Sequence, residues 1–259
     1  MKVAVIFTGF FRTFHFTKDT FKQFLMDPLD VDIFFSSPKT LFTLPWHEDP
    51  TLLAHTPHHS ANKKSVEPEV IDFFGDRLKS YELIDYESEP YKKLCDKHCI
   101  PYLTRDGLPS FRILSQLTNK ELSMNVFKKY VEENNVNYDL VIMTRGDNKY
   151  FTPFDLSVID FDRIGYPDHN RNQKTFNIQY PEYPPSDKIP KAFNDQLLIG
   201  SQKNMLVWCD IVSKSFEYFK EGMYFTAENL MAYHLMKNNI DWYGSNYIEY
   251  SLWRHEEFE

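Results

Sequence analysis

Residues 2–7 (Lys-Val-Ala-Val-Ile-Phe) form a short apolar run that stops at Thr8-Gly9, as a strand does when it leaves a sheet at a glycine. Phe10, Phe11 and Arg12 follow, and the spacing then predicts a helix over 17–25. A second strand is predicted over 30–36 (Asp-Val-Asp-Ile-Phe-Phe-Ser), where Ser36, Ser37 and Pro38 end it. Strand, helix and strand open a βαβ unit. Residues 40–65 carry Pro45, Pro50, Pro57 and four histidines without a sustained period. They read as a long irregular excursion, and such insertions often serve substrates. Acidic residues and Pro68 open a predicted helix over 67–78, and alternation predicts a strand over 80–86.

The longest helical pattern covers 111–133. Phe111, Leu114, Leu117, Leu122, Val126, Phe127, Tyr130 and Val131 recur at three and four, which makes one apolar face expected to pack on a sheet. Asn134, Asn135 and Asn137 end it, and 138–143 (Tyr-Asp-Leu-Val-Ile-Met) is the clearest buried strand. Beyond Phe151, residues 162–166 read as a short strand and 167–190, rich in Pro, Asn, Asp and Tyr, as a second loop. A strand over 197–200 and helices over 203–219 and 226–237 follow, the last with Thr226 at its N-cap. Residues 241–250 and 253–259 form an aromatic tail placed to close over a site. Alternating strands and helices define an α/β chain.

Composition narrows the class. The 259 residues allow one large domain or two small ones, and 23 Phe with 16 Tyr argue against disorder. A formal charge of −8 is the opposite of the basic stripe that a nucleic-acid backbone demands, so no nucleic-acid partner is expected. No apolar run approaches the roughly 18 residues of a membrane span. The N-terminus reads as a first strand rather than a secretory leader. Three cysteines are an odd number that fits a reducing compartment, so a cytoplasmic protein is expected. Cys95, His98 and Cys99 supply three potential zinc ligands without a second half, and read as a polar surface helix turn.

In an open α/β sheet, ligands bind outside the carboxyl ends of the strands, so chemistry is sought just after each apolar run. Thr8, Gly9 and Arg12 follow the first, where a glycine lets backbone approach a ligand and an arginine offers a planar fork to a diphosphate. The alternative for Arg12 is a surface ion pair. Thr144-Arg145-Gly146-Asp147 follows the best strand, and Asp147 is the leading ligand for Mg²⁺ or Mn²⁺. Its alternative is an aspartate that caps a turn. Asp195, between Asn194 and Gln196 ahead of a strand, is a candidate acid or base, or an Asx-turn.

Late in the chain, His255 offers one further metal ligand or a solvated tail residue, and Arg254 a phosphate contact. Glu228 opens a helix, where it either favours the helix dipole or points into a cleft. His234, six residues on, shares no face with it and reads as packing. With 8 Gly in the chain and no Gly-rich phosphate loop, nicotinamide and P-loop enzymes fall away. So do hydrolases of the Gly-x-Ser-x-Gly type, zincins and kinases.

Taken in order, Val3 to Phe14, Asp32-Ile-Phe, Ser115-Gln116 on the long helix, Tyr138 to Asp147 and Asn194-Asp195-Gln196 resemble a group of GT-A-like glycosyltransferases found among large DNA viruses of algae. The resemblance implies a single GT-A-like, Rossmann-like α/β domain over 1–259, with a mixed central sheet and helices on both faces. Residues 1–150 would form the nucleotide-sugar half and 151–259 the acceptor half. It implies a nucleoside-diphosphate sugar donor, with UDP the leading nucleotide, and a glycan or glycoprotein acceptor. Xylose, galactose, glucose and rhamnose stay open as the sugar. For a viral protein the acceptor is a capsid glycan and the location the host cytoplasm.

The Asp-x-Asp motif of GT-A enzymes aligns with Arg145-Gly146-Asp147, so Asp147 takes the position of the metal-ligating acid and Arg145 replaces the first carboxylate. An arginine there binds phosphate directly and weakens dependence on the metal. Asp195 and His255 match a late acid and a C-terminal metal histidine, with Glu228 a second candidate acid. A metal-assisted transfer, with inversion preferred, is therefore expected. Two rivals remain at this point: a catalytically inactive module that holds a sugar nucleotide or glycan, and a nucleotidyltransferase.

Overall fold

The computed structural model describes residues 1–11, 13–39, 65–66, 69–104, 107–167 and 194–252. The excursion over 40–65, the loop over 167–190, Arg12, and the tail that carries Arg254 and His255 lie wholly or almost wholly outside these residues. At the centre, β1 (Val3–Thr8) is buried throughout. It pairs in parallel with β2 (Val31–Pro38) on one side and β4 (Leu140–Thr144) on the other. β3 (Leu78–Ile84) continues the parallel wing beyond β2. Past β4 come β7 (Leu198–Gly200), antiparallel to it, then β6 (Ile164–Pro167) and β8 (Trp242–Ser245). The seven-stranded sheet thus has the order β3-β2-β1-β4-β7-β6-β8 and is mixed, as expected. β5 (Asn148–Tyr150) and β9 (Tyr250–Leu252) form a separate antiparallel pair.

Alternation along β1 divides the interior into two layers. Val3, Val5 and Phe7 face one way, with Ile33, Phe35, Leu140 and Ile142. They meet α1 (Phe14–Phe21), α3 (Glu69–Phe74) and the β5–β9 pair. Ala4 and Ile6 face the other way, with Phe34, Val141, Met143 and Leu198. There they meet α4 (Glu89–Lys97), α5 (Ser110–Asn134), α6 (Gln202–Met205), α7 (Ile211–Lys220) and α8 (Ala227–Lys237). Helices therefore cover both faces. None of the described helices is long and apolar enough to cross a membrane.

Several elements differ from their sequence patterns for identifiable reasons. The first helix begins earlier than residue 17 and continues through a wide π turn, Lys22–Met26, into α2 (Asp27–Leu29). Pro28 has no N–H for the ladder and its ring crowds the carbonyl four residues back, and a wider turn relieves both. Asp30 then stops the helix in the left-handed region at φ 48°. The helix expected over 67–78 is cut at Gly75, whose φ of 51° suits a residue without Cβ. Leu78 consequently starts a strand two residues before the alternation suggested.

The helix expected over 203–219 breaks into α6, a tight 3₁₀ segment over Leu206–Asp210, and α7. Tertiary partners take the backbone groups freed by the break. His234 Nε2 lies 2.8 Å from the carbonyl of Val207, and the N–H of Val212 donates to Glu121 Oε2 at 2.7 Å. His234 is indeed packing: it is buried, and its other ring nitrogen meets Tyr218 Oη at 2.7 Å. Thr226 holds the N-cap position of α8 in an extended conformation, but its side chain makes no cap bond. The aromatic tail contains β8 and β9, which have too few residues each to show a period.

On α5 the apolar stripe is only half of what the spacing predicted. Leu114, Leu117, Phe127 and Val131 are buried, whereas Phe111, Leu122, Val126 and Tyr130 are half-exposed. Ser115, Asn119, Lys120 and Ser123 are buried instead. The helix turns a polar edge toward the end of the sheet, and the reason lies in the site described below.

Phe7 sits 4.9 Å from Phe21, 5.2 Å from Phe74 and 5.4 Å from Phe11, centroid to centroid. It is the strand residue that joins β1 to α1 and α3. Phe7→Ala should lower stability by about 3–5 kcal/mol, read as a drop in the urea midpoint at unchanged slope.

Candidate active site at the carboxyl edge of the sheet

Strand order reverses between β1 and β4. From β1 the chain builds outward through β2 to β3, whereas β4 starts the opposite wing. Such a switch point leaves a crevice beyond the carboxyl ends of the two strands, where ligands of open α/β sheets bind. Three segments meet there. Thr8-Gly9 leaves β1, and Thr8 Oγ1 donates to the carbonyl of Thr144 at 3.3 Å. Gly9 adopts φ 83°, a conformation that favours glycine. Arg145-Gly146-Asp147 leaves β4. Asn194-Asp195-Gln196 enters β7, and the antiparallel register Met143↔Leu198 sets it beside the end of β4.

Gly146 lets the first two segments touch. A Cβ at this position would stand 2.6 Å from Phe11 Cδ1 and 3.2 Å from Phe11 Cα. The Gly146 carbonyl accepts from Thr17 Oγ1 at 2.7 Å, which ties the turn to α1. A loop this tightly packed holds its neighbours, Arg145 and Asp147, at fixed positions.

Those two side chains face each other. Arg145 Nε donates to Asp147 Oδ1 at 2.7 Å and Nη2 donates to Oδ2 at 2.6 Å, a two-pronged pair. Asp147 is buried, and Arg145 keeps 18% of its side chain exposed. Burial by itself disfavours the guanidinium cation. The Asp147 carboxylate, its hydrogen bonds, Asp195 and Tyr250 outweigh that penalty and hold Arg145 firmly protonated. Asp147 is therefore no simple turn cap. It is a carboxylate whose two oxygens are engaged by its own chain neighbour.

Asp195 carries the second pair. Lys120 Nζ lies 3.1 Å from Asp195 Oδ2 and also donates to the Asp195 carbonyl at 3.0 Å. Gln116 Nε2 donates to the same Oδ2. Both ends of the pair are almost fully buried. The Asx-turn considered for Asp195 exists one residue earlier, where Asn194 Oδ1 accepts from the Gln196 N–H at 2.9 Å. That arrangement leaves the Asp195 carboxylate to Lys120. Gln116 and Lys120, four apart on one face of α5, reach the segment before β7, whereas Ser123 on the same helix accepts from the Ser36 N–H of β2 at 3.0 Å and donates to its carbonyl at 3.3 Å.

An uncharged network backs these pairs. Thr144 Oγ1 lies 2.6 Å from Tyr150 Oη and accepts from Asn148 Nδ2 at 3.0 Å. Asn148 Nδ2 also donates to the Gln196 carbonyl at 3.2 Å. Tyr250 Oη accepts from Asn194 Nδ2 at 2.6 Å and donates to Gln196 Oε1 at 3.3 Å. Burial raises the hydroxyl pKa of both Tyr150 and Tyr250, which keeps them neutral. The 241–250 part of the aromatic tail thus meets the site through Tyr250.

The structure brings Thr8, Gly9, Arg145, Asp147 and Asp195 to one edge. Glu228 lies in the first turn of α8, half-buried, on a helix packed against α5 and α7. Arg12 and His255 lie outside the described residues. Lys120 was missed in the sequence, although its spacing from Ser115, Gln116, Asn119 and Ser123 marks a polar stripe on α5. Cys95, His98 and Cys99 do not converge. Cys95 is buried with its thiol pushed up to about 11 by burial, Cys99 is exposed, and His98 stacks on Phe216 at 3.9 Å. Among the described residues no group of three or more His, Cys, Asp or Glu is placed to hold a metal ion.

No protein-family model matches the chain, and no curated protein matches it either. Among the described residues it is an α/β chain with a mixed seven-stranded sheet and, at the switch point, one buried ion pair and a second in which Arg145 stays partly exposed.

Removing one member of a buried pair strands the other. Lys120→Met should cost about 3–5 kcal/mol, and Lys120→Met with Asp195→Asn should recover part of that loss, as read by denaturant unfolding of the two variants. Gly146→Ala should cost about 1–3 kcal/mol through overpacking against Phe11, measured in the same way.

Proposed function

We propose that the chain is a glycosyltransferase of GT-A-like fold that moves a sugar from a nucleoside diphosphate, with UDP the leading nucleotide, to a hydroxyl of a glycan or glycoprotein. The observation that carries this reading is the Arg145–Asp147 pair at the carboxyl end of β4, beside the Thr8-Gly9 turn, at the point where strand order reverses. A glycosyl transfer leaves a diphosphate whose growing negative charge must be neutralised, and a rigid guanidinium is suited to that task. The bidentate pair uses the Nε proton and one Nη2 proton of Arg145, so three N–H donors remain for phosphate oxygens.

A divalent cation, Mn²⁺ or Mg²⁺, belongs to this proposal. Such an ion takes oxygen ligands and can be held by one or two carboxylates with the substrate phosphates completing its shell. Two features of this chain fit it. Asp147 offers a carboxylate, and next to it Asn148 Oδ1 is buried without a hydrogen-bond partner. The cation would supply Lewis-acid stabilisation of the leaving diphosphate. Arg145 would bind phosphate, and Gly146 and Phe11 would keep the loop rigid.

Asp195, whose charge also acts on Arg145, is the first candidate for a base on the acceptor, and Glu228 is the second. A non-catalytic sugar-nucleotide or glycan binder is favoured by one observation. Asp195 Oδ2 is already an acceptor for both Lys120 and Gln116, which leaves less of that carboxylate to take a proton.

The test is a thermal-shift panel of UDP, GDP, TDP and CMP, each with and without Mn²⁺. A ligand at a hundred times its Kd adds about 2.7 kcal/mol, which corresponds to a rise of about 5–10 °C in Tm. One nucleotide should give that rise, and Asp147→Ala, shown to be folded by circular dichroism, should lose it. Release of free sugar from the matching donor then separates an enzyme from a binder. A folded protein that responds to none of the four nucleotides would sink the proposal.

A further inference from the structure

The break between α6 and α7 is clasped by one buried imidazole. His234, on α8, is 1% exposed, and both of its ring nitrogens are engaged. Nε2 lies 2.8 Å from the Val207 carbonyl in the 3₁₀ segment, and Nδ1 lies 2.7 Å from Tyr218 Oη on α7. A carbonyl oxygen has no proton to give, so Nε2 carries the ring proton and Nδ1 accepts from the Tyr218 hydroxyl. Tyr218 is buried too, and Nδ1 is the acceptor its hydroxyl finds among the described residues. One neutral tautomer thus joins three elements.

A second proton can go only to Nδ1. It turns an acceptor into a donor aimed at a hydroxyl, which must then turn its own proton away from the ring. A buried donor left without an acceptor costs the full desolvation of that group, and the imidazolium charge is buried with it. The charged and titratable groups around the ring do not remove this cost. Asp210, at the end of the 3₁₀ segment, has Oδ1 3.4 Å from Nε2 and favours the cation, but 56% of its side chain is exposed and water screens it. Lys214 on α7 disfavours the cation while it pairs with Glu217 at 2.9 Å. Tyr233 packs its ring 5.0 Å from that of Tyr218 and gives its own proton to Glu221. Glu121 of α5 is engaged by the Val212 N–H. Burial prevails and pushes the His234 pKa below that of a free histidine.

We propose that His234 is an acid-released latch: while neutral it clasps the 3₁₀ segment and α7 to α8, and a proton gained from solvent at Nδ1 frees the 3₁₀ segment from α8. In the released form the ring meets water and titrates near about pH 6.5. Above that value both forms are neutral and the latch holds at full strength. Between that value and the lower pKa of the clasped ring, the released form alone takes the proton, so its share grows by up to about tenfold for each pH unit of acidification. Below the lower pKa both forms are protonated and the share changes no further.

The experiment uses the full chain. Nitrogen-15 spectra of the histidine rings give tautomer and titration midpoint, with His234 assigned by its loss in His234→Gln. Hydrogen exchange from about pH 7.5 to about pH 5, corrected for the intrinsic effect of pH on exchange, reports opening at 206–210 and 230–238. The expected result is the Nε2-protonated tautomer, a midpoint below about 6.5, and opening of both segments that rises by up to about tenfold per pH unit while β1 and β4 stay protected. Glutamine keeps an N–H for Val207 and an oxygen for Tyr218 but does not titrate, so His234→Gln should lose the pH dependence. Tyr218→Phe removes the donor to Nδ1 and should move the midpoint up toward about 6.5. If His234→Gln does not fold, Tyr218→Phe supplies both the assignment, as the histidine whose midpoint moves, and the test. A midpoint at or above about 6.5, the opposite tautomer, or equal protection of 206–210 at both ends of the range overturns the latch. So does loss of protection in β1 and β4 in step with 206–210, which is global acid unfolding.

Discussion

Six consecutive residues of β1 are withdrawn from water, and both wings of the sheet, both apolar layers and the crevice take their places from that strand. A strand buried on both faces must have a partner on each edge and a layer on each side, because its backbone groups and its alternating side chains both need satisfaction. β2 and β4 supply the edges. α1 and α3 cover one face and α5 with α8 cover the other. Since the chain leaves β1 toward β2 and returns only later to β4, the two neighbours diverge beyond their carboxyl ends. The crevice is a consequence of that topology rather than of any loop sequence.

Charges placed in such a crevice cannot rely on water. The chain answers by pairing them locally: Arg145 with Asp147 across one glycine, and Lys120 with Asp195 between α5 and the segment before β7. Buried pairs of this kind are weak contributors to net stability, because desolvation offsets most of the attraction. Their value lies in geometry. Each pair fixes the direction of a side chain, and the threonine, asparagine and tyrosine network behind them fixes the backbone.

Much of the framework was legible along the chain. The apolar runs that became β1, β2 and β4, the left-handed stop at Asn135 after α5, and the strand before Gly200 all follow from period and turn chemistry acting within a few residues. Thr8, Gly9, Arg145, Asp147 and Asp195 were legible as site candidates because position after a strand is itself a signal. Harder to read were elements whose cause lies far away in sequence. The break near Leu206 is held by His234 and Glu121, and Lys120 on the polar edge of α5 answers to Asp195, seventy-five residues on. β5, β8 and β9 contain three or four residues each, too short for a period to register.

The sequence alone determined the α/β alternation, the central strands and the residue types at their ends, because hydrophobic period and turn preference are local properties of the chain. Only the tertiary structure decided what those end residues do. The sequence offered Asp147 as a ligand or a cap, and Asp195 as a base or a turn residue. Folding gave each carboxylate a cationic partner, since a buried charge must be paired and the choice of partner depends on which segments the sheet brings together.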